Sequence, residues 1–171
     1  MRQADEESFR RFAINHAASM RRSAFLFCGD WHLAEDLMQA SLIKIYRSWS
    51  RVQRDESLVN YGRTVLLRTW LDEKRRPWRR SEQTEAAVPE RPQDTPDQTH
   101  RMWARDLVHQ GLLRLPPRQR AVLVFRYFDD LSVAETAEVM NCSQGTVKSQ
   151  TARGLDALRA SVSRLVGKVA S

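Results

Sequence analysis

Apolar side chains recur every three or four positions in the first half of the chain, which is the pattern of amphipathic helices. The clearest stripe comprises Ala34, Leu37, Met38, Ser41, Leu42, Ile45, Tyr46 and Trp49, and Asp30 is its predicted N-cap. A weaker stripe precedes it at Phe9, Phe12, Ala13, His16 and Met20. A third, from about residue 58 to Pro77, contains Tyr61, Val65, Leu66 and Trp70. No alternating strand pattern of useful length occurs, so we predict an all-α protein.

The second half carries a sharper local signature. Pro116-Pro117 predicts the start of a helix that continues to about Phe128. Ser132 and Glu135 have capping-box spacing, and the short helix that they open is predicted to end at Met140. A tight turn at Asn141, which can adopt a left-handed backbone conformation, then leads into a longer helix from about Gln144 to Arg159. This order predicts a helix-turn-helix, and an ordinary corner between two helices is the alternative.

Residues 81–100 separate the two halves by composition. They hold three prolines and five acidic residues against a single arginine, with little apolar content. Such a stretch buries too little apolar surface to offset the entropy of ordering it. We therefore predict two small helical domains joined by a flexible linker, with boundaries at 1–78, 79–104 and 105–171. A surface loop within one domain is the alternative.

The charge balance points to a polyanionic partner. Lysine and arginine number 28 against 21 aspartate and glutamate residues, which gives a formal net charge of +7. Nucleic acid and an anionic membrane face are the partners that such a surplus favours. No apolar run approaches the roughly 20 residues of a membrane span, and acidic residues stand where a signal peptide would be. We expect a cytoplasmic protein.

Catalytic and metal-binding patterns are not found in the sequence. Cys28 and Cys142 are 114 positions apart, which suits neither a disulfide framework nor a zinc site. The four histidines are dispersed, and there is no phosphate-binding glycine loop, HExxH or GxSxG motif. We expect no enzymatic activity, no cofactor and no metal.

Two clusters suit nucleic acid. Residues 62–80 contain seven basic and two acidic residues interleaved with Trp70 and Trp78. Arginines can neutralise phosphates and an indole can stack on an unpaired base, although Trp70 is as readily explained as a core residue. The second helix of the predicted helix-turn-helix turns one polar face outward, and such faces contact base edges in the major groove. That face comprises Gln144, Lys148, Ser149, Ala152 and Arg153.

Several segments of the sequence resemble a known protein family. The run Ala34-Glu35-Asp36-Leu37-Met38-Gln39, continuing to Ile43-Lys44-Ile45-Tyr46-Arg47, is similar to region 2.2 of the bacterial σ70 family, and residues 61–76 resemble regions 2.3 and 2.4. Leu115-Pro116-Pro117-Arg118-Gln119-Arg120 and Gly145-Thr146-Val147-Lys148-Ser149 resemble region 4. The match is to the extracytoplasmic-function (ECF) members, which keep only domains σ2 and σ4, and within them to a SigE-like subgroup.

The resemblance implies a dissociable subunit that binds core RNA polymerase through its β and β′ subunits, recognises the −35 and −10 promoter elements and promotes melting. By position it implies polymerase contacts for Asp36, Gln39 and Lys44. It implies −10 contacts for Arg63, Arg68, Asp72, Arg75 and Arg76. It implies −35 contacts for Gln144, Lys148, Ser149, Ala152 and Arg153, and capture of a flipped base for the segment 50–57.

Two positions depart from the family pattern, and one other class of function stays open. Many members have asparagine at the position of Arg68 and arginine at that of Gln150.

An anti-sigma factor is an additional partner that we consider. The alternative function is a stand-alone regulator whose helix-turn-helix binds operators as a dimer. It accounts for residues 105–165 but not for the region 2.2 pattern.

Overall fold

The computed structural model describes residues 2–76 and 97–171, and every regular element in these two ranges is a helix. The first range contains α1 (Gln3–Cys28), α2 (Trp31–Arg47), α3 (Trp49–Val52) and α4 (Leu58–Lys74). The second contains α5 (Asp97–Leu113), α6 (Pro117–Leu123), a π-helical turn (Val124–Phe128), α7 (Val133–Met140) and α8 (Gln144–Ala170). The all-α prediction is confirmed.

Three helix boundaries form as the sequence chemistry predicts. The Asp30 carboxylate accepts a hydrogen bond of 2.8 Å from the backbone N–H of His32 and so caps α2. Ser132 and Glu135 form the complete capping box of α7, at 3.0 Å and 2.8 Å. Asn141 ends α7 in the left-handed region, with φ of 52°. The turn between α7 and α8 is therefore fixed by local residues.

The first half is held together by aromatic residues between α1, α2 and α4. Phe27, Trp49 and Trp70 are almost completely buried, and the rings of Phe27 and Trp70 stack with centroids 4.9 Å apart. The indole Nε1 of Trp49 donates a 2.8 Å hydrogen bond to Ser8 Oγ, so this ring is satisfied as well as buried. Trp70 is a core residue, which decides between the two interpretations of that side chain.

The second half packs α5 and α6 against α8. A Cβ atom at Gly111 of α5 would lie only 2.9 Å from Leu158 Cδ1, so a larger residue there would have to displace the Leu158 side chain of α8. Helix α8 extends eleven residues beyond the predicted end at Arg159. The reason is that Ser161 and Leu165 are buried and continue the apolar stripe of α8 toward its C-terminus.

Part of the predicted linker lies within the described residues. Helix α5 begins at Asp97, so residues 97–104, placed in the predicted linker 79–104, are helical. Pro77, at the predicted end of the third helix, lies outside the described residues, as do Trp78, Arg79 and Arg80 of the basic cluster. The same holds for the part of the predicted linker before Asp97.

The two halves pack directly against each other. Thr64 Oγ1 of α4 donates a 3.0 Å hydrogen bond to the carbonyl of Val139 in α7. The ring of Phe27 meets that of Phe125 edge to face, with centroids 5.7 Å apart. Gly29, with φ of 76°, ends α1 where a Cβ would lie 2.7 Å from Leu113 Cδ1. A single apolar core therefore runs through both halves.

Candidate functional site

The predicted polymerase-binding residues lie along α2, whose opposite side is packed into the core. Asp36, Gln39 and Lys44 are exposed, and Ile43 between them is 53% exposed despite its apolar side chain. Lys44 Nζ donates a 3.0 Å hydrogen bond to Thr69 Oγ1 of α4, which turns the lysine toward that helix. Gln39 Nε2 donates to Glu35 Oε1 at 3.2 Å. The α2 face, defined as Asp36, Gln39, Ile43 and Lys44, is a mixed polar and apolar surface of the kind that protein interfaces use.

The predicted promoter-contacting residues of α4 do not all come together. Arg68 and Asp72 of α4 and Arg75 and Arg76 directly after its last residue are exposed, and we define these four residues as the α4 face. Five residues of helix rotate a side chain by about 140° beyond one full turn, so Arg63 lies on nearly the opposite side of α4 from Arg68. The Arg63 guanidinium instead lies against the second half of the chain, with Nε 3.6 Å from Asp129 Oδ2.

Two arginines of the α4 face form ion pairs with nearby acidic residues of the same segment. Arg75 lies 3.9 Å from Asp72, and Arg76 lies 3.6 Å from Glu73, each three residues apart along the chain. Because the arginines and Asp72 are largely exposed, water screens these pairs and they hold the guanidinium groups weakly. The guanidinium groups are therefore free to exchange such contacts for phosphate oxygens.

The segment 50–57 connects α2 to α4 around a buried anchor. Trp49 and Val52 of α3 are buried, whereas the residues after α3 are mostly exposed. Asp55 accepts hydrogen bonds from the backbone N–H and the hydroxyl of Ser57, at 2.9 Å and 2.8 Å, and these bonds lower the pKa of the Asp55 carboxyl. The result is a structured turn on a rigid base, with its polar side chains open to solvent.

The helix-turn-helix surface is fully formed. Ser143 caps α8 by accepting a 3.1 Å hydrogen bond from the backbone N–H of Thr146, and Val147 is buried beneath the first turn. All five predicted contact residues are exposed in the N-terminal turns of α8, and this exposed row comprises Gln144, Lys148, Ser149, Ala152 and Arg153. Gln150, where this chain departs from the family pattern, is half-buried and therefore does not belong to that exposed row. This row presents two cations, Lys148 and Arg153, together with the polar Gln144 and Ser149 and the small Ala152.

Arg120 is a site that the sequence reasoning did not single out. It is 5% exposed, and its guanidinium donates hydrogen bonds to the carbonyls of Leu113 and Leu115, at 2.7 Å and 2.9 Å, and to that of Phe27 in the first half. Burial lowers the pKa of Arg120 to about 10, which leaves it protonated at neutral pH. The sequence signal is limited to a cation directly before the apolar run that begins at Ala121, and the partners of Arg120 are backbone atoms that no sequence pattern specifies.

Other kinds of site are not formed in the part of the chain that is described. Within residues 2–76 and 97–171, no three histidine, cysteine, aspartate or glutamate side chains meet in a way that could hold a metal ion. None of the helices in these ranges is long and apolar enough to cross a membrane. Burial raises the pKa of the Cys28 thiol to about 11, so this thiol is a poor nucleophile at neutral pH.

The sequence matches two protein-family models, sigma-70 region 2 over residues 7–80 and sigma-70 region 4 over residues 105–158. It is 32% identical over 155 residues to the RNA polymerase sigma-E factor of Streptomyces coelicolor, an alignment that covers 88% of this chain and 84% of that protein. It is 28% identical over 166 residues to the ECF RNA polymerase sigma factor SigM of Mycobacterium tuberculosis, covering 97% and 79%.

Two solved structures share the fold. One is the sigma factor RpoE in complex with the anti-sigma factor NepR from Bartonella quintana, with a TM-score of 0.70, 19% identity and coverage of 91% of this chain and 96% of that one. The other is CnrH in complex with the cytosolic domain of CnrY, with a TM-score of 0.65, 18% identity and coverage of 95% and 90%.

The chain belongs to the sigma-70 family of transcription initiation factors. Within that family it is of the extracytoplasmic-function type, with a σ2-like and a σ4-like helical domain. It is a promoter-specificity subunit of RNA polymerase and not an enzyme. This decides against a stand-alone operator-binding regulator.

Proposed function

We propose that the α2 face binds core RNA polymerase, on the β′ subunit in particular. The observation that supports this is the exposure of Asp36, Gln39 and Ile43 on a helix whose other side is rigidly packed by Leu37, Ile45 and their neighbours. An exposed isoleucine between charged and amide groups can be buried against a partner helix with its polar neighbours at the rim. Titration of core polymerase with the Asp36→Arg protein tests this role directly.

We propose that the α4 face contacts the −10 element. Arg68 on α4 and Arg75 and Arg76 directly after its end are three exposed arginines that can neutralise several phosphates, so binding through them should weaken steeply with salt. Arg68→Ala in the holoenzyme is expected to reduce affinity for −10 DNA and the salt slope together. The segment 50–57, which precedes the N-terminus of α4, is proposed to receive a flipped base, because most of its polar groups are exposed to solvent.

We propose that the helix-turn-helix surface reads the −35 element. The N-terminal turns of α8 carry its five exposed polar and small residues, and these turns are where such helices contact base edges. Arg153 and Lys148 can donate to guanine or to phosphate, whereas Ala152 can approach a thymine methyl group. Mutation of Arg153 with scanning of −35 sequences separates base contact from phosphate contact.

Promoter binding is proposed to require that the two halves separate. Helix α4 packs on α7, and α7 packs on α8, so the two DNA-facing helices lie within about two helix spacings of 8–10 Å each. The −10 and −35 elements are about 25 base pairs apart, which is about 85 Å of duplex. One packed chain cannot contact both, so separation of the halves on core polymerase is part of the proposed function.

The domain boundaries and the setting complete the proposal. We propose functional units at 1–78 and 105–171, joined by residues 79–104, and a cytoplasmic location where core polymerase is found. We also propose that an anti-sigma factor binds this chain, because one neighbour in fold was solved with such a factor. Co-purification of the tagged chain from its own cells, with and without added core polymerase, tests for that partner.

A further inference from the structure

A charged contact joins the two halves at a place that no DNA-facing role uses. Arg63 of α4 lies 3.6 Å from Asp129, which follows the π-helical turn of the second half. The side chains are 26% and 16% exposed, so both charges are largely removed from water. Ser23 of α1 donates to both carboxylate oxygens, at 3.2 Å and 3.3 Å. Three side chains from three elements therefore meet in one half-buried cluster.

The charged form of the Asp129 carboxyl depends on Arg63. Burial raises the pKa of Asp129, while Arg63 is the strongest influence in the opposite direction. Removing one partner of a largely buried pair leaves the other charge desolvated and uncompensated, which costs more than the pair itself contributes. Without Arg63, the packed arrangement would therefore carry a buried carboxylate that the separated arrangement returns to water.

The position of Arg63 on its helix fits this contact and not the α4 face. Its guanidinium points to the opposite side of α4 from Arg68 and donates a 2.7 Å hydrogen bond to Asn60 Oδ1, which orients it. Thr64, the next residue, donates to the Val139 carbonyl of the second half. Arg63 and Thr64, two consecutive residues of α4, therefore both contact the second half of the chain.

We propose that Arg63 is a latch between the two halves and not a contact to the −10 element. Its pairing with Asp129 holds the σ2-like and σ4-like domains together in the free protein, and the pair breaks when core polymerase separates them. The proposal rests on the proposed function in one respect, namely that promoter binding requires the halves to separate. It also reassigns one of the five residues for which the family resemblance implies a −10 contact.

Hydrogen–deuterium exchange of the free full-length protein tests the latch. Arg63→Ala is expected to speed exchange on the order of tenfold in peptides covering the first turns of α4 and all of α7. Arg68→Ala, the matched control on the exposed side of the same helix, is expected to exchange like wild type. Adding Asp129→Asn to Arg63→Ala is expected to slow exchange again, because it removes the half-buried carboxylate that has lost its strongest counter-charge and keeps only Ser23 and the weaker influence of Arg22.

Two results would overturn the latch. One is unchanged exchange in Arg63→Ala, and the other is faster exchange that Asp129→Asn fails to reverse. If Arg63→Ala loses helicity by circular dichroism, Arg63→Lys replaces it in the same comparison. The lysine keeps the charge, so slow exchange is expected, and fast exchange in that folded variant would contradict the latch.

Binding of −10 DNA by the holoenzyme separates this proposal from the proposed function. The expected result is that Arg68→Ala weakens binding and Arg63→Ala leaves it unchanged. Equal weakening by both would return Arg63 to the −10 contacts and overturn the reassignment. No effect of Arg68→Ala would contradict the proposed α4 face while leaving the exchange result for the latch intact.

Discussion

The guanidinium of Arg120 lies 5.3 Å from the ring centroid of Trp70, although the two residues belong to different domains. The same indole stacks on Phe27, whose carbonyl accepts a hydrogen bond from the same arginine. A cation of the σ4-like domain is therefore seated in the aromatic core of the σ2-like domain. Arg120 therefore stabilises the turn that leads into its own helix, α6, and also contacts the first half of the chain.

Arg120→Met is expected to destabilise the protein by about 2–5 kcal/mol, because carbonyl groups of Leu113, Leu115 and Phe27 lose their donor while staying buried. The free energy of unfolding in urea measures the effect. Arg118→Met is the matched control, since Arg118 is exposed two residues away and should change stability by less than about 0.5 kcal/mol. Equal losses in both variants would show that the buried contacts of Arg120 contribute little.

Asp36→Arg is expected to abolish binding to core polymerase while the thermal unfolding midpoint stays unchanged. The side chain is exposed, so the fold tolerates the change, but a reversed charge on the α2 face opposes the partner surface. Glu6→Arg makes the same charge change at an exposed position of α1 and should bind core polymerase normally. Wild-type affinity in Asp36→Arg would contradict the role proposed for the α2 face.

Arg153→Ala is expected to weaken binding of the holoenzyme to its −35 element by about 1–3 kcal/mol and to relax the preference at one base position. Fluorescence anisotropy across a set of single-base −35 variants provides the measurement. Arg159→Ala, on an exposed position of the same helix, serves as the control and should leave the preference unchanged. A uniform loss across all sequences in Arg153→Ala would instead indicate a phosphate contact.

Ser132→Ala removes one half of the capping box of α7. The Ser132 hydroxyl accepts the backbone N–H of Glu135 at 3.0 Å, and its loss is expected to cost about 0.5–2 kcal/mol of stability. Urea unfolding measures this cost, with Ser163→Ala on an exposed position of α8 as the control. A stability equal to that of Ser163→Ala would mean that the cap is replaced by solvent at no cost.

Stability is expected to fall as the pH is lowered from about 7.5 to 5.5, in part because of His109. Burial lowers the pKa of this imidazole, so the folded state favours the neutral ring and loses stability once the unfolded chain takes up a proton near pH 6.5. His109→Gln should flatten this slope, whereas His32→Gln, at an exposed position, should not. Parallel slopes for His109→Gln and wild type would contradict the prediction.

Local chemistry accounts for what could be predicted from the sequence. The Asp30 cap, the capping box of α7 and the left-handed Asn141 all depend on residues within a few positions of one another, and all three form as predicted. The exposed row on α8 follows in the same way from helical spacing around the buried Val147. Such features need no knowledge of the rest of the fold.

Features that depend on distant residues could not be predicted in this way. The side of α4 to which Arg63 points matters only because Asp129, 66 residues later, meets it there. Arg120 finds its partners at backbone carbonyls of two domains, and carbonyls leave no mark in a sequence. The continuation of α8 past Arg159 is indicated in the sequence by Ser161 and Leu165, whose helical spacing continues the buried stripe, whereas the predicted helix ends at Arg159.

Competition for core RNA polymerase tests the central claim most directly. The purified chain is mixed with core polymerase from the same organism and an equimolar reference sigma factor, and the mixture is separated by size exclusion. A sigma factor should co-elute with core polymerase and displace part of the reference. Elution of the folded chain alone, while the reference sigma factor remains fully bound to the same core polymerase, would contradict the assignment of this protein as a polymerase subunit.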